Sequence, residues 1–356
     1  MPLSNGLKKS LGQVTIPSGK VMLLDFGLMD LWTHDDPPFL LPGILDDDAV
    51  ESANCGADFR IEGDDAVQAG RVFERQPHPL FVYDIPRHGI PEVRDDFASV
   101  IEQSGFHAQL VQLPERMSPR QRAEHCLSHF CGAGEVFLHG VHIIVVDNLP
   151  VDRPLRVEGE MMGEGEYAHH WRNISLLASP HLEIASSRKI GNVAVDMARL
   201  MFCDLDAAGK WLHQESTDGL ADFVFWGKDA LRLAKRFQAP HVEGAMYGWV
   251  DKPIEEIIDL SIQAQKHISH HHLVAATDFR PHSDHWRMLK TIAGSETESA
   301  VIDLGGTSCC GFMTSWGDGF FPVFLDEDEN GTLVRVRVEL GTEEIIRGMQ
   351  LVNRFA

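Results

Sequence analysis

The 356-residue sequence predicts an α+β fold of two tandem related domains, each a mostly antiparallel sheet with helices packed on one face. Three observations predict it. The chain repeats itself at an offset of 179 residues. Short apolar or alternating runs are bounded by Gly and Pro, as strands are. Between them lie segments whose apolar residues recur at helical spacing. The length suits two domains, and the repeat sets their expected limits at 1–178 and 179–356.

The repeat is clearest where Gly12 to Trp32 lies over Gly191 to Trp211: Gly12 meets Gly191, Val14 meets Val193, Met22 meets Met201, Asp25 meets Asp204 and Trp32 meets Trp211. The offset returns where GVHIIVVD from Gly140 falls on GFFPVFLD from Gly319. Between these ends it drifts, so insertions are expected.

The elements are predicted in order. A hairpin opens each copy, Gln13 to Ile16 turning through Pro17-Ser18-Gly19 into Lys20 to Asp25, and Val193 to Val195 running into Arg199 to Asp204. A buried strand follows at Leu80 to Tyr83 or Leu273 to Ala276. Next is an amphipathic helix, with Val93, Phe97, Val100 and Ile101 on one face, or Trp286, Leu289 and Ile292 after the N-cap Ser283. A strand ends at Leu113 or Leu304, and two more close each copy: Val141 to Val146 then Leu155 to Glu158, and Phe320 to Leu325 then Leu333 to Leu340. LVRVRVEL alternates strictly, so one face is buried and one is wet. Asp328-Glu329-Asn330-Gly331 supplies a hairpin loop.

In the first copy Ser118-Pro119-Arg120-Gln121 reads as a capping box opening a short helix. The second copy adds a strand at Phe223 to Trp226, a helix from Asp229 to Phe237 and a helix from Pro253 to about His267, with Ile254, Ile257, Ile258 and Ile262 along one side. Leu155 to Arg188 is expected to link the copies.

Composition excludes several classes. The apolar fraction of 44% is that of an ordinary globular protein. No apolar run reaches the ~18 residues of a membrane span, and MPLSNGLKKS lacks the apolar stretch of a signal peptide, so a cytoplasmic location is expected. With 53 acidic and 31 basic residues the net charge is -22, which argues against binding nucleic acid or anionic membranes and favours a basic protein partner. Six cysteines without a CxxC pair are read as free thiols of a reducing compartment.

The opening residues Val193, Val195, Asp196, Leu200, Met201, Cys203 and Asp204, with the closing Trp316, Gly317, Asp318, Gly319, Phe320, Phe321, Pro322 and Val323, resemble a bacterial domain family of unknown function found beside secreted toxins. The resemblance covers the second half well; the first half keeps only the opening pattern. It implies an immunity protein that binds and neutralises a type VI secreted toxin, a DNase, by occluding its active site. It carries over no catalytic residue and no cofactor.

The candidate partner-binding residues come from the acidic clusters of the first half: Asp35 and Asp36, Asp46 to Asp48, Glu62, Asp64 and Asp65. Clustered carboxylates can occupy a cationic groove as charge mimics. Phe39-Leu40-Leu41-Pro42 lies among them with the character of an apolar anchor, or alternatively of a core strand. A second function, a metal-dependent enzyme, is suggested by His267, His270, His271, His272, His282 and His285. His267 and His271 have the i, i+4 spacing of many zinc pairs, but Ile268 stands where an HExxH motif requires Glu. No metal is assigned on that basis. Cys309-Cys310 lacks the His or Asp partner of a nucleophile. Asp25, Asp204 and Asp318 read as turn formers.

Overall fold

The computed structural model describes residues 7–41, 46–181 and 183–352. The chain runs β1 (Lys8–Val14), β2 (Val21–Leu24), α1 (Asp47–Asn54), β3 (Ala57–Glu62), α2 (Ala66–Phe73), β4 (Phe81–Ile85), α3 (Ile90–Ser104), β5 (Gln109–Gln112) and α4 (Pro119–His129). Then come β6 (Ala133–Leu138), β7 (Val141–Val146), β8 (Leu155–Met161), β9 (Trp171–Leu177), β10 (Ser186–Val195) and β11 (Arg199–Asp204). A second series holds β12 (Leu220–Trp226), α5 (Ala230–Phe237), β13 (Tyr247–Pro253), α6 (Ile254–His270), β14 (Ala276–Pro281) and α7 (Asp284–Ala293). It ends with β15 (Ser299–Asp303), β16 (Ser308–Met313), β17 (Gly319–Glu327), β18 (Leu333–Glu339) and α8 (Glu343–Val352).

The fold is α+β and its sheets are antiparallel. Two have six strands, in the orders β1-β8-β9-β18-β17-β10 and β15-β16-β11-β2-β7-β6; two have three, β4-β3-β5 and β13-β12-β14. The chain forms two compact units, Met1–Lys210 with Ser295–Ala356, and Trp211–Gly294. The expected boundary at 178/179 does not separate them. β9 pairs with β18 and β2 with β11, so residues from both halves of the chain are hydrogen-bonded in each large sheet.

In the first unit the two large sheets face each other. Val14, Val157, Ile174, Val323, Val336 and Val338 of one share a core with Leu23, Ile144, Val146, Leu200, Phe202 and Phe312 of the other. The alternation of LVRVRVEL is realised in β18, where Val334, Val336 and Val338 are buried and the arginines half-buried. Sheet, rather than helix, thus covers the buried face of these strands. The expected opening hairpins are a second correction. Pro17-Ser18-Gly19 carries the chain from β1 in one large sheet to β2 in the other, and β10 and β11 are divided in the same way. Gly12 and Gly191 each sit at a break in strand register with φ of 153°. Such a backbone admits glycine readily and a side chain poorly.

Helices cover the small sheets. In the first unit Ala57 and Phe59 of β3 pack with Val82 and Ile85 of β4 and Val93 of α3. In the second, Ala221, Phe223 and Phe225 of β12 pack with Ala230, Leu233 and Ala234 of α5 and Ile257 and Ala264 of α6. Pleating turns Asp58 and Asp222, the residues between, to the opposite faces. On α6 the buried positions are Ile257, Ser261 and Ala264, whereas Ile258 and Ile262 are exposed. The stretch expected to link the copies contains β9, and β14 begins only at Ala276. The caps are as expected: Ser118 and Gln121 form a reciprocal capping box, and Ser283 accepts from Trp286 N–H.

Candidate partner-binding face

The loop of residues 33–41 is coil. Phe39 is therefore not a core strand residue; half of its surface is exposed. Asp35 and Asp36 are exposed beside it in sequence. Pro42, the last residue of the proposed anchor segment, lies outside the described residues.

The backbone on both sides of Phe39 is pinned. Pro38 is buried, and its carbonyl lies 3.1 Å from His139 Nε2. Leu40 N–H donates to Asn54 Oδ1 at 2.8 Å, and Asn54 Nδ2 donates back to Leu40 O at 2.9 Å. Asn54 O in turn accepts from Arg116 at 3.2 Å. Arg116 reaches Asp84 Oδ1 at 2.6 Å, and His139 N–H donates to Asp84 Oδ2 at 2.8 Å. Beneath them Arg122 is fully buried between Asp84, at 2.5 Å, and Asp58, at 3.1 Å. Its guanidinium also lies 4.4 Å from the Tyr83 ring centre. Burial alone would raise the Asp84 carboxyl, but the hydrogen bonds and charge of Arg122 outweigh it and hold Asp84 well below the usual carboxylate range. A buried ion cluster of this kind is costly to break, so it holds the backbone around it in one arrangement. Here it fixes the backbone that presents Phe39.

The predicted acidic residues divide among three places. Asp46 caps α1, accepting from Ala49 N–H at 2.9 Å, and Asp47 and Asp48 follow in its first turn, where the helix dipole favours negative charge. The Leu40–Asn54 clamp is at the other end of α1, about 12 Å away at 1.5 Å per residue. Glu62 ends β3, about 17 Å along that strand from Ala57, and Asp64 and Asp65 follow it. Glu62 pairs with Arg60. Asp65 accepts from His107 N–H at 2.8 Å. Asp35 is shared with His34, at 2.8 Å, and Arg120, at 3.9 Å. The face around Phe39 is thus centred on Asp35 and Asp36, with Asp46 to Asp48 one helix length away and Glu62, Asp64 and Asp65 apart. Sequence reasoning missed Asn54, Arg116, Arg122 and His139, because nothing local marks groups that meet across 14 to 101 residues.

The histidines do not gather either. His267, His270 and His271 lie together on the last turns of α6, with ring centres 4.2 and 4.7 Å apart. His285 stacks edge-on with His213. His282 is buried among carboxylates: Nδ1 is 3.0 Å from Asp218, and Nε2 is 3.1 Å from Asp222 and 3.6 Å from Asp251. Cys309 and Cys310 are wholly buried, and burial raises the Cys310 thiol well above its ordinary range, which suits packing rather than attack. Asp25, Asp204 and Asp318 are backbone acceptors. Asp25 takes the N–H groups of Gly27, Asp196 and Met197, Asp204 those of Ser18, Asp206 and Ala207, and Asp318 that of Ala198. Among the described residues no helix is long and apolar enough to cross a membrane.

Comparison of the chain with protein-family models, with curated proteins and with solved structures found no match.

Proposed function

We propose that this protein is a cytoplasmic immunity protein that binds a basic secreted toxin, a nuclease of the type VI kind, and blocks its active site. The observation that carries this reading is Phe39, an exposed aromatic on a loop locked by Asn54, Arg116 and His139 and flanked by exposed carboxylates. A rigid aromatic anchor supplies affinity with little ordering cost, and the acidic rim supplies speed and selectivity. The net charge of -22 suits a cationic partner, and the likeness of the opening and closing motifs to toxin-associated domains supports the class of partner.

Co-expression with the product of the adjacent gene tests the reading. Co-purification and protection of the cell are expected. Phe39→Ala is expected to weaken binding about 30-fold, as loss of a central anchor does. Association is expected to slow by 10- to 1000-fold from low to high salt. A chain that neither co-purifies nor protects would remove the proposal.

We also propose that the chain arose by duplication. The large sheets support it: each reads as three strands followed by their counterparts in reverse, β1-β8-β9 then β18-β17-β10, and β15-β16-β11 then β2-β7-β6. The bulges at Gly12 and Gly191 match at the offset of 179. The small sheets support it further. Ala57-Asp58-Phe59 and Ala221-Asp222-Phe223 lie at matching register breaks, in β3 against β4 and β12 against β13. On this pairing β3 corresponds to β12, α3 to α6, α4 to α7, β7 to β16 and β8 to β17, rather than β4 to β14, α3 to α7 and β7 to β17 as the sequence suggested. The offset of 179 holds at the opening strands, and its return at Gly140 and Gly319 does not join counterparts.

A further inference from the structure

We infer that Asp222, Asp251 and His282 form a binding site for one divalent transition-metal ion of the zinc or manganese class. The inference goes beyond partner binding and does not depend on it.

The donor atoms already converge. One carboxylate oxygen of Asp222, one of Asp251 and a ring nitrogen of His282 lie within 4.8 Å of one another. Two ligands at about 2.0–2.1 Å from a tetrahedral ion stand roughly 3.3 Å apart. The distances from Nε2 to Asp222 and Asp251, 3.1 and 3.6 Å, bracket that value. One nitrogen and two carboxylates suit zinc or manganese better than calcium or magnesium, which take oxygen alone. The second nitrogen of the ring is held too: Nδ1 lies 3.0 Å from Asp218. A carboxylate there fixes the tautomer and ring orientation that leave Nε2 to a metal.

The other small sheet gives an independent indication that this place takes a cation. Asp84 N–H donates to Asp58 Oδ1 at 2.8 Å, and Asp251 N–H donates to Asp222 Oδ1 at 2.8 Å. Asp84 and Asp251 share a left-handed backbone, with φ of 55° and 53°. Between Asp58 and Asp84 lies the guanidinium of Arg122, four residues after the cap Ser118. The arginine four residues after the cap Ser283 is Arg287, which pairs with Asp284 instead. Among the described residues the ion pairs of Asp222 and Asp251 are with His282 alone, and His282 also faces Asp218. Three carboxylates thus face one imidazole where the counterpart pair holds a permanent cation. A divalent ion bound at Nε2 restores that balance.

The test uses the full chain, stripped with a chelator and titrated calorimetrically with zinc chloride and manganese chloride. One saturable site per chain is expected, together with a rise of several degrees in melting temperature. His267→Gln/His271→Gln removes the exposed pair on α6 and should leave this site intact. Asp251→Asn and His282→Gln should each weaken it at least tenfold, and Asp218→Asn by 10- to 100-fold through the ring it orients. Circular dichroism checks that each variant is folded; the exposed Asp251 makes its variant the safest reading. Absence of saturable binding by either ion would overturn the site. So would binding that disappears in His267→Gln/His271→Gln and persists in Asp251→Asn.

Discussion

At the scale of single residues, charge burial decides what is rigid. Arg122 has no exposed surface and serves two carboxylates, so Arg122→Met strands Asp58 without a cation and leaves Asp84 with Arg116 alone. A loss of about 3–5 kcal/mol in unfolding free energy is expected, read from the urea midpoint. His78 behaves in the opposite way. Burial, then the neighbouring His129 and His125, lowers it from 6.5 to about 3. Its Nδ1 accepts from Leu80 N–H at 3.1 Å, so the neutral ring is the one that fits. Below pH 6.5 the unfolded chain takes up a proton that the folded chain refuses. Stability therefore falls with pH from about 6.5 toward 3, by up to about 1.4 kcal/mol per pH unit. His78→Asn keeps an acceptor for Leu80 and should flatten that slope between pH 6 and 4, with no change in slope near pH 8. Asp84 and Asp326 add a later loss. Burial raises each, but Arg122 lowers the first, and Arg337, Ser187 and Arg335 the second, below the ordinary range. Their contribution is complete above the ordinary carboxylate pKa of about 4 and disappears as pH falls through their lower values.

At the scale of elements, what the sequence made legible was local. The capping box at Ser118, the cap at Ser283, the Asp328 loop and the alternation of β18 are each written in adjacent residues. What it did not disclose was pairing between distant segments. Pro17-Ser18-Gly19 looks like a hairpin turn because its composition suits any reversal, and only the partners of β1 and β2 reveal that it joins two sheets. The bulge glycines were visible as matched letters but not as bulges. A Cβ on Gly12 would come within 2.4 Å of Val301 Cγ2, and one on Gly191 within 2.5 Å of Glu135 Oε2, both at φ of 153°. Gly12→Ala and Gly191→Ala are each expected to cost about 1–3 kcal/mol, shifting the denaturation midpoint without changing its slope.

At the scale of the whole molecule, the candidate face was half legible. Phe39 and its aspartates stood out by composition, whereas the clamp beneath them is assembled from residues on α1, β4, α4 and the turn after β6. The His282 centre was missed for the same reason. His282 was grouped with histidines near it in sequence, while its partners Asp218, Asp222 and Asp251 lie 31 to 64 residues before it. Charge patterning identifies which segments are wet, not which of them meet.

The two central strand pairs, β9 with β18 and β2 with β11, run along the middle of the large sheets. Cut at residue 178, the N-terminal fragment would keep β1-β8-β9 and β2-β7-β6 but expose β9 and β2 as raw edges over half a core. Two such fragments can satisfy one another by closing the same seams. Residues 1–178 expressed alone should therefore sediment as a homodimer or precipitate, and a well-behaved monomer of that fragment would contradict the seam. The intact chain carries its own dimerisation partner covalently, at an effective concentration that dilution cannot reduce.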